Sequence, residues 1–264
     1  MDLIISLSSI PSRFAHLGPT LNSLLTQRRP PDEVRIYVPH AYRRFPEWNG
    51  SLPEVPAGVT VLRADCDYGP ATKILPAVRD LQGTNTEILF CDDDRIYDPL
   101  WTSRFLVQRS QRPDCALVEA GGLLGKSGHC VDAALRVRKG IMYRAIRAAS
   151  LGLIKPRPWA RSGFVDIAKG YGGVMIRPDF LPSEAFDIPE ILWTVDDYWL
   201  SGCLRMQGID IWLNAEAPVS RESRAAACAP LLNFTTGGHD RGKSNAACVA
   251  WFRDKYGVWV HPTM

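Results

Sequence analysis

Residues 88–99 read ILFCDDDRIYDP. The apolar stretch Ile88–Cys91 is the end of a short run, and three adjacent carboxylates, Asp92, Asp93 and Asp94, follow it directly. A short apolar run bounded by a polar turn reads as a strand buried on both faces. Asp98 followed by Pro99 reads as the N-cap and first position of a helix over 98–111. Strand, acidic turn and helix together form half of a parallel β-α-β unit.

The same alternation extends outward on both sides. Towards the N-terminus, strands are expected at 3–8, 33–39, 58–64 and 87–91, and helices at 17–27 and 69–81. The second helix has Pro70 at its start and a bend at Pro76. A fifth strand is expected at 115–120. The second half is less regular, with two short strands around the glycines of 164–181, a helix at 194–208 stopped by Gly208, a strand at 209–214, and a C-terminal helix at 244–257 with Ser244 as its N-cap. The expected fold class is α/β, a mixed, mostly parallel central sheet with helices on both faces. The chain is expected to be one domain over 1–264, with a ligand-binding half at 1–120 and a second half at 121–264. Ligands in such sheets bind beyond the carboxyl ends of the strands, which is where the aspartates fall.

Composition sets limits on function. The chain has 264 residues, 46% apolar and 22% charged, as in an ordinary globular protein. A net charge of +3 implies no nucleic-acid partner. Seven cysteines, an odd number with no C-x-x-C spacing, point to a reducing compartment rather than a disulfide framework or zinc knuckle. The start, MDLIISLSSIPSRF, has no basic stretch before its short apolar run and reads as a first strand. A cytoplasmic protein is therefore expected.

Three carboxylates side by side repel, and burying them is costly. One explanation is helix capping, but Asp98 with Pro99 already supplies a cap. The other is a hard divalent cation, which prefers oxygen ligands and is often held by one or two carboxylates plus substrate phosphates. A second acidic pair, Asp196–Asp197, opens the helix at 194–208. There Thr194 and Asp197 also fit a variant capping box.

FCDDDRIY resembles the D-x-D motif of GT-A glycosyltransferases, a strand-end acidic motif that holds a metal and a nucleotide sugar. GYGGVMIRPDF (170–180) resembles the glycine-rich strand beside their sugar pocket, TVDDYWLSG (194–202) their acidic helix start, and GGHDRGKSN (237–245) their basic C-terminal loop. The order of motifs is similar to family-2-like and exostosin-like enzymes, and covers nearly the whole chain outside 125–162.

The resemblance implies a single GT-A, Rossmann-like domain and a Mn²⁺ (or Mg²⁺) cofactor, with Asp94 as metal ligand, Asp92 at the ribose or sugar hydroxyls directly or through water, and Asp93 among the nucleotide-sugar-binding residues without a distinct role. His239 would be a second metal ligand and Lys243 a phosphate contact. Asp197, or less favourably Asp196, would be the base for an acceptor hydroxyl. Gly172 and Gly173 would let backbone approach the sugar, or would instead form a bulge. Beside these, the loop after the first strand (Ile10, Pro11, Arg13) can cradle a nucleotide or simply turn. Asp67 and Lys73, around the start of the 69–81 helix, can contact ribose and phosphate or form an ordinary strand-to-helix turn.

The expected function is a metal-dependent transferase moving a hexose or N-acetylhexosamine from a nucleotide sugar, a UDP-sugar first, to a hydroxyl of a glycan or lipid-linked acceptor. Two alternatives are a sugar-phosphate nucleotidyltransferase, whose glycine-rich basic signature SSIPSRFAHLG lacks, and a binding module without turnover. Between Ala133 and Val165 there is no acid, and eight bases fall between 136 and 161. These can attract an anionic surface at the inner face of a membrane or a phosphorylated acceptor, or can form a solvated helix face or loop. If they engage lipid, sedimentation with anionic vesicles should fall steeply as salt is raised; no binding at low salt would leave only the solvated face.

Overall fold

The computed structural model describes residues 2–125, 159–231 and 241–260, together with 128, 130, 145, 148, 149 and 234. The strands are β1 (Asp2–Ser8), β2 (Glu33–Pro39), β3 (Val59–Ala64), β4 (Thr86–Phe90), β5 (Arg95–Ile96), β6 (Ala116–Val118), β7 (Gly121–Gly122), β8 (Gly163–Val165), β9 (Ile167–Ala168), β10 (Val174–Ile176), β11 (Ile211–Leu213) and β12 (Arg221–Glu222). The helices are α1 (Gly18–Leu25), α2 (Leu75–Asp80), α3 (Trp101–Gln111), α4 (Asp196–Met206) and α5 (Arg241–Tyr256).

Eight strands form one sheet in the order β3-β2-β1-β4-β10-β6-β11-β8. Neighbours from β3 to β4 are parallel, as are β6 and β11, while β10 runs antiparallel to both β4 and β6 and β8 antiparallel to β11. Alternate residues of each strand enter opposite cores. Leu3, Ile5, Leu7, Leu89, Leu117 and Met175 pack on one face with Leu21 and Leu24 of α1 and Trp101 and Phe105 of α3. Ile4, Ile88, Phe90, Val118 and Val174 pack on the other with Leu75 and Val78 of α2, Trp199 and Leu204 of α4, and Phe252 of α5. Both faces are therefore buried, which is why these strands read as continuous apolar runs.

Three local expectations give way to tertiary contacts. The helix expected at 69–81 is a 3₁₀ turn over Gly69–Lys73 followed by α2. Pro76 stands in the first turn of α2, since it has no N–H to continue a helix across Ile74. Asp98 does not cap α3, which starts at Trp101 with no side-chain cap; instead Asp98 accepts from Leu100 N–H and binds both terminal nitrogens of Arg104. Ser244 lies inside α5 rather than at its N-cap, buried and with no hydrogen-bond partner for its hydroxyl.

The antiparallel run of β10 matters most for the site. Val174 lies opposite Phe90, so the segment entering β10 is brought beside the carboxyl end of β4. No disulfide forms among the described residues, and no helix among them is long and apolar enough to cross a membrane.

Packing accounts for Gly172 and Gly173. A Cβ on Gly172 would come 2.6 Å from Ala120 Cβ. Gly173 has φ +91°, and a Cβ there would lie 2.4 Å from the Trp101 ring, whose Nε1 donates to Gly172 C=O. Gly173→Ala should thus lower unfolding stability by about 2 kcal/mol or more, from combined backbone strain and overpacking. Urea denaturation measures this; a loss below about 0.5 kcal/mol would contradict the packing described.

Candidate active site

A cavity of about 520 Å³ opens beyond the carboxyl ends of β1 to β4. Its lining includes Ser8, Ser9 and Ile10 after β1, Pro39 at the end of β2, Asp67 after β3, and Asp92, Asp93 and Asp94 after β4. Asp196 and Asp197 at the start of α4 complete the acidic wall. The two acidic motifs, far apart in sequence, thus meet at one cavity.

The three adjacent aspartates have different environments. Asp93, 4% exposed, accepts from Arg13 Nη1 at 2.6 Å and from Ser9 Oγ at 2.6 Å. Its backbone C=O accepts from Thr20 Oγ1 of α1. Burial still outweighs Arg13 and holds its carboxyl above the usual range. Asp92 Oδ1 lies 2.5 Å from Lys73 Nζ. Burial opposes charge on Asp92, but Lys73 overrides it and holds the carboxyl below the usual range. Asp94 is the least compensated. Its Oδ2 is 3.2 Å from Arg13 Nη1, while its Oδ1 is buried and accepts no hydrogen bond, with Arg95 Nε 3.5 Å away. Burial, with Asp92 and Asp93 beside it, pushes the Asp94 carboxyl up to about 6.

Lys73 is 5% exposed and reaches a second carboxylate, Asp196 Oδ2, at 2.8 Å. Its ammonium, in the cavity wall, is thereby paired with two protein acids. Asp196 is 3% exposed and serves as the lysine's counter-ion. Asp197 does not cap its own helix, which has no side-chain cap. Its Oδ1 accepts from Gly170 N–H at 3.0 Å. Burial, then Asp196 next to it, raises the Asp197 carboxyl to about 6, close to the working range of a general base.

The other expected site residues divide. Ile10 and Arg13 line the cavity, whereas Pro11 does not. Arg13 is committed to Asp93 and Asp94 and, through Nε, to Cys228 C=O. Asp67 lines the cavity, but its oxygens accept backbone N–H groups of Arg43 and Gly69. Lys243 is exposed in the first turn of α5; the basic residue of that segment in the cavity wall is Arg241. His239 lies outside the described residues, as do the basic residues between 136 and 157, while Arg161 is exposed.

Sequence reasoning passed over Arg44, Arg95, Tyr42, Tyr171 and Trp193, all in the cavity wall. Trp193 adjoins the quoted TVDD and Arg95 follows the aspartates directly, so adjacency to a motif was the available signal. Gly170 was also missed. A Cβ there would come 2.5 Å from Lys73 Nζ and 2.9 Å from Asp92 Oδ1, so only glycine lets backbone cover this ion pair.

Among the described residues no three His, Cys, Asp or Glu side chains form a ready-made metal cage. The donor set nevertheless fits a hard cation shared with a ligand. Asp94 Oδ1 is an open buried carboxylate oxygen. Among the described residues the wall carries seven acids (Asp67, Asp92, Asp93, Asp94, Asp196, Asp197, Glu222) against five bases (Arg13, Arg44, Lys73, Arg95, Arg241), a balance of −2. An anionic ligand would add to that deficit unless a cation came with it.

No family model and no curated protein matches the chain. Among solved structures it is similar to TarS of S. aureus, at 14% identity and TM-score 0.49, over 83% of this chain and 36% of that one. It is also similar to TarS 1-349 in complex with UDP-GlcNAc (15% identity, TM-score 0.47, 86% and 61% covered) and with UDP (15%, 0.45, 83% and 60%). The chain thus spans less than two thirds of each.

Because Asp93 is buried against Arg13, removing the guanidinium leaves a charge without its partner. Arg13→Ala should cost about 3 kcal/mol of stability, and adding Asp93→Asn should restore most of it. A double-mutant cycle by chemical denaturation reads the coupling; additive losses would show that the two side chains do not depend on each other.

Proposed function

We propose that this chain is a metal-dependent glycosyltransferase of GT-A type that moves a sugar from a nucleotide sugar, a UDP-sugar first, to a hydroxyl of a glycan or lipid-linked acceptor. The observation that carries this reading is the meeting of Asp92–Asp94 with Asp196–Asp197 across one cavity at the strand ends. The sequence resemblance assigns these motifs to the donor and acceptor sides of such a site, and the geometry supports a division of labour between them.

On the donor side, Asp94 Oδ1 is the oxygen left for a cation. A Mn²⁺ or Mg²⁺ ion there, completed by the donor's phosphates, would neutralise charge on the leaving diphosphate. Arg241 and Arg95 line the same wall and add fixed positive charge. On the acceptor side, Asp197 is oriented by Gly170 N–H and has its carboxyl raised to about 6. It would take the acceptor hydroxyl's proton as that oxygen bonds to the anomeric carbon and the bond to the diphosphate breaks, releasing the nucleoside diphosphate.

Incubation with UDP-sugars and Mn²⁺ should release UDP by transfer or slow hydrolysis, and EDTA should abolish it. Asp94→Asn should weaken metal-dependent UDP binding with the fold intact. Asp197→Asn should keep donor affinity and lower turnover about 10²-fold or more. Pyrophosphate release from UTP and a sugar phosphate would instead identify a nucleotidyltransferase. Full activity in EDTA would remove the cation, and normal turnover in Asp197→Asn would remove the base.

A further inference from the structure

We propose that Lys73 is a positioning residue: its buried ammonium ties the strand-end carboxylates to the helix-start carboxylates and sets the charge on Asp197. The inference rests on the reading of Asp197 as general base, and goes beyond it by identifying what holds that base in its working state.

The geometry is specific. Lys73 Nζ is 2.5 Å from Asp92 Oδ1 and 2.8 Å from Asp196 Oδ2, and so bridges the end of β4 and the start of α4. Its backbone is fixed from the other side by Ser6, which is fully buried in β1 and donates its hydroxyl to Lys73 C=O at 2.6 Å. Gly170 covers the bridge with no room for a side chain, and the same residue's N–H donates to Asp197 Oδ1. Ser201 of α4 completes the support, donating to Asp197 C=O and accepting from Ala168 N–H of β9. Displacing Lys73 would therefore disturb Asp197 twice, through Asp196 beside it and through Gly170 above the ion pair.

The charges point the same way. Asp197 faces Asp196 on its own helix, Lys73 from the segment before α2, Arg241 from α5 and Asp92 from the end of β4. Without Lys73, Asp92, Asp196 and Asp197 would lose the cation that lies between them, and Asp197 would hold its proton to higher pH. A lysine poised to grip a donor phosphate should keep its ammonium unpaired; this one lines the cavity but is held by two carboxylates and is 5% exposed.

The test is the pH dependence of transfer in the wild type, Lys73→Met, Asp196→Asn and the double variant. Lys73→Met should move the acid limb of kcat up by about one pH unit, and Asp196→Asn should move it down. The double variant keeps the wild-type net charge at the bridge and should return the limb towards its original position. KM for the nucleotide sugar should stay within about threefold throughout. If Lys73→Met does not fold, the fall in Asp196→Asn and the return in the double variant still decide. An acid limb that does not move in the folded variants overturns the proposal. So does a KM raised tenfold or more at unchanged kcat, which would make Lys73 a donor ligand. A carboxyl carbon NMR titration of Asp197 reads the same shifts without turnover. An inactive wild type would thus remove the base assignment while the titration still upheld or overturned the role of Lys73.

Discussion

Five carboxylates converge on one cavity, and the ammonium of Lys73 lies between the two groups they form, 2.5 Å from Asp92 and 2.8 Å from Asp196. Burying like charges together is unfavourable unless each finds a partner. Lys73 partners one member of each group, and Arg13 partners Asp93. What remains after this pairing is uneven. Asp92 is held ionised, whereas Asp94 and Asp197 are pushed up to about 6. Asp94 keeps a buried carboxylate oxygen without a hydrogen bond, and Asp197 is held by the Gly170 N–H.

The sheet topology makes this arrangement possible. An all-parallel continuation would place another strand's carboxyl end beside β4. Here β10 runs the opposite way, so the glycine-rich segment that precedes it arrives at the site instead. Its three glycines serve different purposes. Gly170 clears space over the Lys73–Asp92 pair, Gly172 fits against Ala120, and Gly173 takes a positive φ against Trp101. Trp101 is the first residue of α3, so the helix that follows the acidic strand end also supports the strand that faces it. Packing in the core and geometry in the cavity are therefore coupled through one indole.

The strap after β12 is a further connection between distant parts of the chain. Ser223 N–H donates to Asp94 C=O, Arg13 Nε to Cys228 C=O, and Arg44 to Ala229 C=O. Main-chain carbonyls of this strap are thus held by arginines of the cavity wall.

The sequence by itself determined the α/β class, the strands of the first half, and the placing of Asp92–Asp94 at a strand end and Asp196–Asp197 at a helix start. These are short-range properties, carried by runs of apolar residues and by the residues that interrupt them. Only the tertiary structure decided which acids are neutralised and which are not, because the partners are far apart in the chain: Arg13 and Asp93 are separated by 80 residues, Lys73 and Asp92 by 19. For the same reason local rules placed Asp98 and Ser244 at caps and left a cap as the alternative role of Asp197, while the motif resemblance pointed to Gly172 and Lys243 and passed over Gly170 and Arg241. A capping pattern records what a residue can do for its own helix. An ion pair or a backbone contact across the sheet competes for the same side chain, and its strength depends on burial and distance, which exist only once the chain has folded.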